Sequence, residues 1–354
     1  MNQSDQPAVI DLTIVGAGPV GLFAAFYAGL RELSTKVIDS LDEVGGQLTA
    51  MYPEKYIYDM PGFPKVLARE LVERMAEQGL QFGATLVLGQ KVVGLEHLDE
   101  GIIRLTTDKG EEHLTRTVLL ALGAGSVEPA KLGIPGEEEF AGRGVAHVVR
   151  DRSRYRGRRV VIVGGGDTAL DWANELFGEA ASITLVHRTR FFRAHERSVR
   201  EAQEKGIPFL TDTVLVEIVG SDRVEKVRAK NRVSGEEFDL PCDEVLICIG
   251  FRMKLDFLRE WGLELSSRAI KVDANMRTNL PGVYAAGDIT DHEGKLNLIA
   301  TGVGEAAIAV NHIATQLNPE QGFFPGHSTN MAKFGGQEGP PRPVEVEGSG
   351  RPAD

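Results

Sequence analysis

The sequence has few cysteines and no long apolar segment. Its 354 residues include two cysteines, Cys242 and Cys248, whose spacing matches neither a zinc site nor a C-x-x-C redox pair. No run approaches the roughly 20 apolar residues that a membrane span needs. The first residues, MNQSDQPAVIDL, lack the basic and apolar parts of a secretory signal. These absences predict a cytoplasmic protein without a metal centre, a membrane segment or a pair of redox thiols.

Positive charge is also scarce. The chain carries 39 lysines and arginines against 51 acidic residues, which gives a net charge of −12 at pH 7. A nucleic-acid-binding protein needs a basic surface to contact phosphates, so this balance argues against general nucleic-acid binding. The hydrophobic share of 42% and the charged share of 25% are ordinary globular values. At this length we expect about two domains, each with its own core.

The first strong pattern is LTIVGAGPVGLFAAFYAGL, in which an apolar run over 12–15 precedes a glycine turn and an alanine-rich helix. Gly16 permits the tight turn, Gly18 lets a pyrophosphate approach the backbone, and Gly21 lets the helix pack closely on the strand. The helix N-terminus offers free N–H groups to phosphates. A strand is predicted over 35–38, and Asp39 at its end, 23 residues after Gly16, can accept hydrogen bonds from a ribose. The combination predicts a dinucleotide site, whereas a glycine turn alone could serve packing only.

The same pattern recurs at RRVVIVGGGDTALDWANEL, where Gly164, Gly166 and Ala169 take the places of the three glycines. At the position of the acid stands His187, followed by Arg188. Two further basic residues in this stretch are Arg190 and Arg193. An acid there would repel a 2′-phosphate, whereas arginine can bind one. The first copy is therefore predicted to bind a cofactor without a 2′-phosphate, such as FAD, and the second to bind NADPH. The alternative is a solvated arginine cluster after an NAD site.

A third segment, TNLPGVYAAGDITDHEGKLNLIATGVGEAAIAVNHI, completes the first copy. It predicts a turn at 281–282 and a short strand over 283–286 that ends at Gly287 and Asp288. An amphipathic helix should follow over about 302–317.

The predicted fold class is α/β, with two Rossmann-like, three-layer dinucleotide-binding domains. The FAD domain is expected to be discontinuous, over 1–123 and 281–330. The NADPH domain, over 124–280, is inserted in it, and the two connections form a hinge. The last segment, 331–354, is rich in Gly, Pro and charge and is predicted to be disordered.

Over about 10–330 these motifs resemble the thioredoxin reductase-like flavoproteins and, within them, the thioredoxin reductase-type ferredoxin–NADP reductases. The resemblance implies an FAD site in the first copy and an NADPH site in the second. The implied FAD-binding residues are Gly16, Gly18, Pro19, Gly21, Asp39, Gly46, Gln47, Tyr52, Gly123, Gly287, Asp288, Ser328 and Thr329. The implied NADPH-binding residues are Gly164, Gly166, Asp167, Thr168, Ala169, His187, Arg188 and Arg193.

One family feature is missing. Thioredoxin reductases carry a C-A-T-C pair shortly before a Y-R-G, and here the run is HVVRDRSRYRG, with His147 and Arg150 at the two cysteine positions. Without two thiols, electrons cannot leave as a dithiol. The resemblance therefore implies an acceptor that takes electrons directly from the flavin.

Two aromatic residues match the ferredoxin reductase branch. Tyr52 stands where that branch stacks an aromatic ring on the isoalloxazine, and His327, in the motif PGHSTN, stands where an imidazole covers the other face. The resemblance implies that both act at the flavin. Without the resemblance, the alternative for Tyr52 is a half-buried surface aromatic residue. The alternative for His327 is an exposed histidine without a function. Thr189 departs from the family, which has a second arginine at this position.

The predicted function is ferredoxin–NADP reductase, with ferredoxin or flavodoxin as the electron carrier. One alternative is an NADPH-dependent flavoprotein that reduces quinone, oxygen or free flavin, and another is a non-catalytic flavin redox sensor. Six arginines lie between Arg150 and Arg159 against one acid, Asp151. This basic run either docks an acidic carrier or is a solvated connector. A homodimer is implied by the resemblance alone.

Overall fold

The computed structural model describes residues 8–123, 126–254, 256–266 and 269–322. The predictions for His327, Ser328, Thr329 and the segment 331–354 lie outside these residues. Among the described residues, none of the helices combines the length and apolarity of a transmembrane segment.

The strands are, in chain order, β1 Ile10–Val15, β2 Thr35–Ile38, β3 Tyr56–Ile57, β4 Val66–Leu67, β5 Thr85–Val87, β6 Val92–His97, β7 Ile103–Thr107, β8 Glu112–Leu120, β9 Ser126–Pro129, β10 Val145–Ala146, β11 Arg159–Val163, β12 Ser182–Val186, β13 Phe209–Leu210, β14 Thr213–Gly220, β15 Val224–Asn231, β16 Glu237–Pro241, β17 Glu244–Ile247, β18 Phe251–Lys254, β19 Leu265–Ser266, β20 Ala269–Lys271, β21 Val283–Ala285 and β22 Thr290–Asp291. The helices are α1 Pro19–Leu30, α2 Gln47–Met51, α3 Ala68–Leu80, α4 Asp167–Leu176, α5 Glu196–Glu204, α6 Asp256–Glu260 and α7 Ile299–Leu317.

The chain forms two compact units. The described residues of unit 1 lie within 1–46, 72–123 and 256–354, and those of unit 2 within 47–71 and 124–255. These boundaries differ from the predicted domains at two segments, 47–71 and 256–280. The later segment belongs to unit 1 because β20 pairs with β22 and the Trp261 indole N–H donates to the Val93 carbonyl at 3.2 Å. The earlier segment belongs to unit 2, where Lys55 forms an ion pair with Asp171.

Unit 1 is built on a sheet in the order β5-β2-β1-β8-β7-β6, with β21 also paired to β8. The strands β5, β2, β1, β8 and β21 are parallel, and β7 and β6 run antiparallel. Strand β8 is long enough to pair with β7 near its start and with β21 near its end. Leu12, Ile14 and Leu119 of the sheet share one core with the alanines of α1 and α7. Small alanine side chains let both helices lie close to the strands.

Unit 2 contains a parallel sheet in the order β10-β17-β11-β12-β13 and an antiparallel sheet in the order β14-β15-β16. Strands β9 and β18 form a separate antiparallel pair. The strands β11, β12 and β17 are almost continuously apolar, which is typical of a parallel sheet covered on both faces. Trp172 on α4 and Tyr155 are among the largest fully buried side chains. The predicted α/β class with two Rossmann-like units is confirmed.

Candidate dinucleotide-binding sites

The first glycine turn lies where β1 ends and α1 begins. Gly16 has a φ of +114°, which favours glycine, and its N–H donates to the Ile38 carbonyl of β2 at 2.8 Å. Gly18 is the N-cap residue of α1, and Pro19 is its first residue. The N-terminus of α1 therefore presents backbone N–H groups without a side chain in front of them. This arrangement fits the pyrophosphate of a dinucleotide.

Close backbone contacts explain the other glycines of this turn. A Cβ atom on Gly21 would collide with the Gly16 carbonyl, and one on Gly46 would lie 3.0 Å from the Gly18 Cα. Gly46 also has a φ of +55°. Any larger residue at these positions would push the loop away from the helix N-terminus. The structure thus brings Gly46 to the turn, as the resemblance implied.

Asp39 follows β2 and holds the glycine turn in place. Its carboxylate accepts hydrogen bonds from the Ala17 N–H at 2.5 Å and from the Leu41 N–H at 2.8 Å. The residue is only 8% exposed, and burial raises the pKa of its carboxyl group, although the backbone hydrogen bonds act in the opposite direction. Each oxygen has a second lone pair. The side chain can therefore organise the loop and still accept a ribose hydroxyl.

A buried carboxylate organises the third segment of this site. Glu305 on α7 is 4% exposed and accepts from the Gly287 N–H at 2.8 Å. It also accepts from Lys295 Nζ at 2.6 Å and lies 3.0 Å from His292 Nε2. Lys295 in turn donates to the Gly287 carbonyl at 2.9 Å. These contacts fix the turn that carries Gly287 and the exposed Asp288.

The sequence-based prediction missed Glu305. The available signal was a single acid in the apolar stretch IATGVGEAAIAV, which suggests a buried, paired charge.

The helix α7 begins at Ile299, three residues before the predicted start. Gly302 lies in its first turn, where an added Cβ would lie 2.6 Å from Val20 and 3.1 Å from the Gly287 Cα. This glycine therefore allows α7 to approach both the first glycine turn and the Gly287 turn.

The second glycine turn, in unit 2, repeats the arrangement of the first. The Gly164 N–H donates to the Val186 carbonyl at 3.0 Å, and a Cβ there would collide with the Cys248 carbonyl. Gly166 is the N-cap of α4, with open space where its Cβ would be. Ala169 is fully buried against the turn. This bare helix N-terminus also fits a pyrophosphate.

The two polar residues that begin α4 differ in their surroundings. Asp167 accepts a hydrogen bond from the His195 N–H at 2.7 Å and so ties α4 to the start of α5. Thr168 is exposed beside it. The structure therefore gives Asp167 a positioning contact within the protein.

The stretch after β12 forms a basic loop over 187–193. The His187 ring packs on Gly165, where an added Cβ would come within 2.6 Å of the ring Nδ1. Arg188 and Arg193 are exposed and have no carboxylate partner among the residues that the structure describes. Arg190 is different, because it forms an ion pair with Asp212 at 2.6 Å. The loop therefore offers two unpaired guanidinium groups to an anion.

Other predicted residues are placed as follows. Gly123 has a φ of +57° and lies three residues after β8. Gln47 begins α2, and the half-buried Tyr52 lies one residue beyond its end. Both belong to unit 2, whereas Gly46 belongs to unit 1.

No dithiol is available in this chain. Its two cysteines are buried, and burial raises the pKa of both thiols to about 12. At the first cysteine position of thioredoxin reductases, the His147 Nε2 lies 3.6 Å from a Glu137 oxygen. Burial lowers the pKa of this imidazole. Both thiols are therefore protonated and poorly nucleophilic at neutral pH.

The basic run before β11 is largely structural. Arg152 pairs with Glu175 and Glu179, Arg154 pairs with Glu244, and Arg159 pairs with Asp243. Three arginines of the run are exposed and form no ion pair in the described part of the chain, namely Arg150, Arg156 and Arg158. The charge of Arg158 still acts on Asp243 at longer range. Arg158 directly precedes β11, and Arg156 lies two residues before Arg158, at the opposite end of this strand from the glycine turn. Half of the run is therefore neutralised, which favours the reading as a connector.

Residues 10–311 match the family model for pyridine nucleotide-disulphide oxidoreductases. The chain belongs to this family. It is 48% identical to the ferredoxin–NADP reductase of Thermus thermophilus, over 92% of this chain and 98% of that protein. It is 47% identical to ferredoxin–NADP reductase 2 of Oceanobacillus iheyensis, over 91% of this chain and 98% of that protein.

Solved structures of thioredoxin reductases are also similar to this chain. The thioredoxin reductase of Lactococcus lactis is similar at 30% identity and a TM-score of 0.72, over 86% of this chain and 97% of that one. The enzyme from T. acidophilum is similar at 29% identity and a TM-score of 0.73, over 87% and 98%. The predicted family and the predicted class, an FAD-dependent pyridine-nucleotide oxidoreductase, are therefore confirmed.

Proposed function

We propose that this member of the pyridine nucleotide-disulphide oxidoreductases is a ferredoxin–NADP reductase. The main support is its similarity, at 41–48% identity, to proteins of that name over nearly their whole length. Thioredoxin reductases are less similar in sequence, at about 30%. The two buried cysteines and the missing C-x-x-C pair agree with this choice, because a thioredoxin reductase needs an accessible dithiol.

In this proposal FAD binds to unit 1 and NADPH to unit 2. The residues proposed to hold FAD include Gly16, Gly18, Asp39, Gly46 and Gly287, which line or support one bare helix N-terminus. Those proposed to hold NADPH are Gly164, Gly166, Arg188 and Arg193. When bound, FAD would supply the chemistry that couples the two-electron oxidation of NADPH to the one-electron reduction of ferredoxin. The protein binds and orients both nucleotides and supplies the positive ends of α1, α4 and α7.

Two further residues are proposed to act at the flavin on the strength of the family resemblance. They are Tyr52, next to α2, and His327, which lies beyond the described residues. A homodimer is proposed on the same basis, and the cytoplasmic location expected from the sequence stays a proposal. No observation favours quinone, oxygen or free flavin as the acceptor.

Anaerobic stopped-flow spectroscopy of the purified protein tests this function. We expect bound flavin to bleach rapidly with NADPH and to recover its colour when oxidised ferredoxin is added. The same reduced protein should react slowly with oxygen and quinone. A preparation that cannot take up FAD, or one that NADPH reduces but ferredoxin does not reoxidise, would refute the proposal.

A further inference from the structure

A fourth arginine, far along the chain, reaches the basic loop over 187–193. Arg232 lies between β15 and β16, directly after Asn231 at the end of β15. Its guanidinium Nη1 donates a hydrogen bond to the Arg188 carbonyl at 3.1 Å. Its backbone N–H donates to the Asp212 carbonyl at 2.7 Å. The β15–β16 turn therefore holds a guanidinium group against the backbone of the loop.

The charges at this place do not balance. The only carboxylate bonded to the loop among the described residues is that of Asp212, which Arg190 already pairs with. Arg188, Arg193 and Arg232 are exposed and have no carboxylate within ion-pair distance in the described residues. Three unpaired cations around one short loop repel one another. A bound anion would relieve this repulsion.

The loop occupies the ribose position of the second nucleotide site. His187 lies 23 residues after Gly164, the same separation as Asp39 from Gly16. Thr189 adds no charge here because its hydroxyl is neutral, and it donates to the Phe191 carbonyl at 3.1 Å. The guanidinium group of Arg232, from the β15–β16 turn, contacts the residue directly before Thr189.

We propose that Arg232 forms part of the site for the 2′-phosphate of NADPH and so determines the preference for NADPH over NADH. This inference rests on the proposed function and extends it to a residue outside the glycine motif. A phosphomonoester carries close to two negative charges at neutral pH, and guanidinium groups bind it through charge-assisted hydrogen bonds. Of the nucleotide's groups, Arg232 would contact only the 2′-phosphate, so it acts as a specificity residue.

The test uses the full-length FAD-loaded protein and two nucleotide fragments, 2′,5′-ADP and 5′-AMP, which differ only in the 2′-phosphate. Binding is measured by calorimetry for the wild type, Arg232→Ala, Arg232→Lys and the control Arg200→Ala. Arg200 is an exposed arginine on α5 in the same unit. It controls for the loss of one positive charge.

We expect Arg232→Ala to weaken 2′,5′-ADP binding roughly 10-fold, the usual effect of one hydrogen bond to a charged group. Its binding of 5′-AMP should not change. Arg232→Lys should recover part of the loss, and Arg200→Ala should behave as the wild type. The KM for NADPH should rise in Arg232→Ala while kcat and the KM for NADH stay the same.

Two results would overturn the inference, and they are distinguishable. If the wild type prefers 2′,5′-ADP and Arg232→Ala keeps the full preference, Arg232 has no role and the proposed function stands. If the wild type binds 2′,5′-ADP no more tightly than 5′-AMP, both the inference and the proposed use of NADPH are wrong. Because Arg232 is exposed, its substitution should leave the thermal unfolding temperature unchanged, and this is measured alongside.

Discussion

Glu305 accepts a hydrogen bond from the Gly287 N–H across 2.8 Å, and this contact joins α7 to the turn after β21. Its carboxylate is buried, and an unpaired buried charge is costly. Lys295 and His292 compensate for this cost by binding its other oxygen. The turn that carries Asp288 is thus held by an acid that lies 18 residues after Gly287 in the chain.

Replacing Glu305 by Gln should test this role. The amide keeps the size of the side chain but leaves the Lys295 ammonium, 9% exposed, without its carboxylate. We expect the free energy of unfolding to fall by about 3 kcal/mol, as for other broken buried pairs. FAD affinity should fall as well. Urea unfolding measures the change in stability, and the rise in FAD fluorescence as the cofactor is released measures the change in affinity. The exposed neighbour Glu293→Gln is the control, and equal losses in both variants would contradict the role of Glu305.

The same cluster should make stability depend on pH. The hydrogen bond to Glu305 raises the pKa of His292 above its usual 6.5, although burial acts against it. A raised pKa in the folded state means that the stabilisation is complete below pH 6.5 and is lost as the pH rises through the higher value. His292→Gln should remove this loss. We expect the difference in unfolding free energy between wild type and His292→Gln to shrink with rising pH, and a constant difference would rule out the linkage.

The carboxyl group of Glu305 makes the stability of the fold depend on pH in the acidic range. Burial alone would raise the pKa of its carboxyl group, but hydrogen bonds from Lys295, His292 and Gly287 outweigh burial and hold the pKa below its usual 4.5. Its contribution is therefore present above about pH 4.5 and is lost as the pH falls through the lower folded value.

Two glycines in helices should respond oppositely to alanine. In Gly21→Ala the new methyl group collides with the Gly16 carbonyl, so we expect loss of FAD and lower stability. In Gly304→Ala the methyl group meets no atom within 4 Å. That change should stabilise α7 by roughly 0.5–1 kcal/mol because alanine has less backbone freedom to lose. Flavin content on purification and urea unfolding provide the comparison. A Gly21→Ala protein that retains FAD would show that the close approach is unnecessary.

We expect Arg154 to stabilise the fold. It shares the carboxylate of Glu244, 1% exposed, with Arg223. Arg154→Ala leaves that buried carboxylate with one partner, and we expect a loss of about 1.5–3 kcal/mol, as for hydrogen bonds to charged groups. The exposed Arg156 is the matched control, and Arg156→Ala should leave the urea midpoint unchanged. If both variants lose the same stability, the ion pairs of the basic run have no special role.

The glycine turns could be predicted from the sequence because their constraints are local. The positive φ of Gly16 and the close approach at Gly21 depend on a strand and a helix only a few residues away. The predicted strand 35–38 coincides with β2, and Asp39 follows it as expected. The helix α7 begins earlier than predicted because its N-cap, Leu298, is not a usual capping residue.

The remaining features depend on contacts between distant segments. The pairing of Arg190 with Asp212, the approach of Arg232 to Arg188 and the burial of Glu305 join residues 18 to 44 positions apart. Neither spacing nor composition contains that information. The two compact units divide the chain differently from the predicted domains at 47–71 and 256–280, because strand order along the chain does not reveal which sheet a segment joins.

The last elements of unit 1 have a consequence for synthesis. Strand β21 pairs with the end of β8, and α7 covers the alanine face of α1. Until these elements leave the ribosome, a nascent chain exposes an unpaired strand edge and an apolar helix face, which are features that chaperones bind and that promote aggregation. The described residues of unit 2 end at 254, so its sheets can form earlier. Unit 2 is therefore fully synthesised before the last elements of unit 1 are translated.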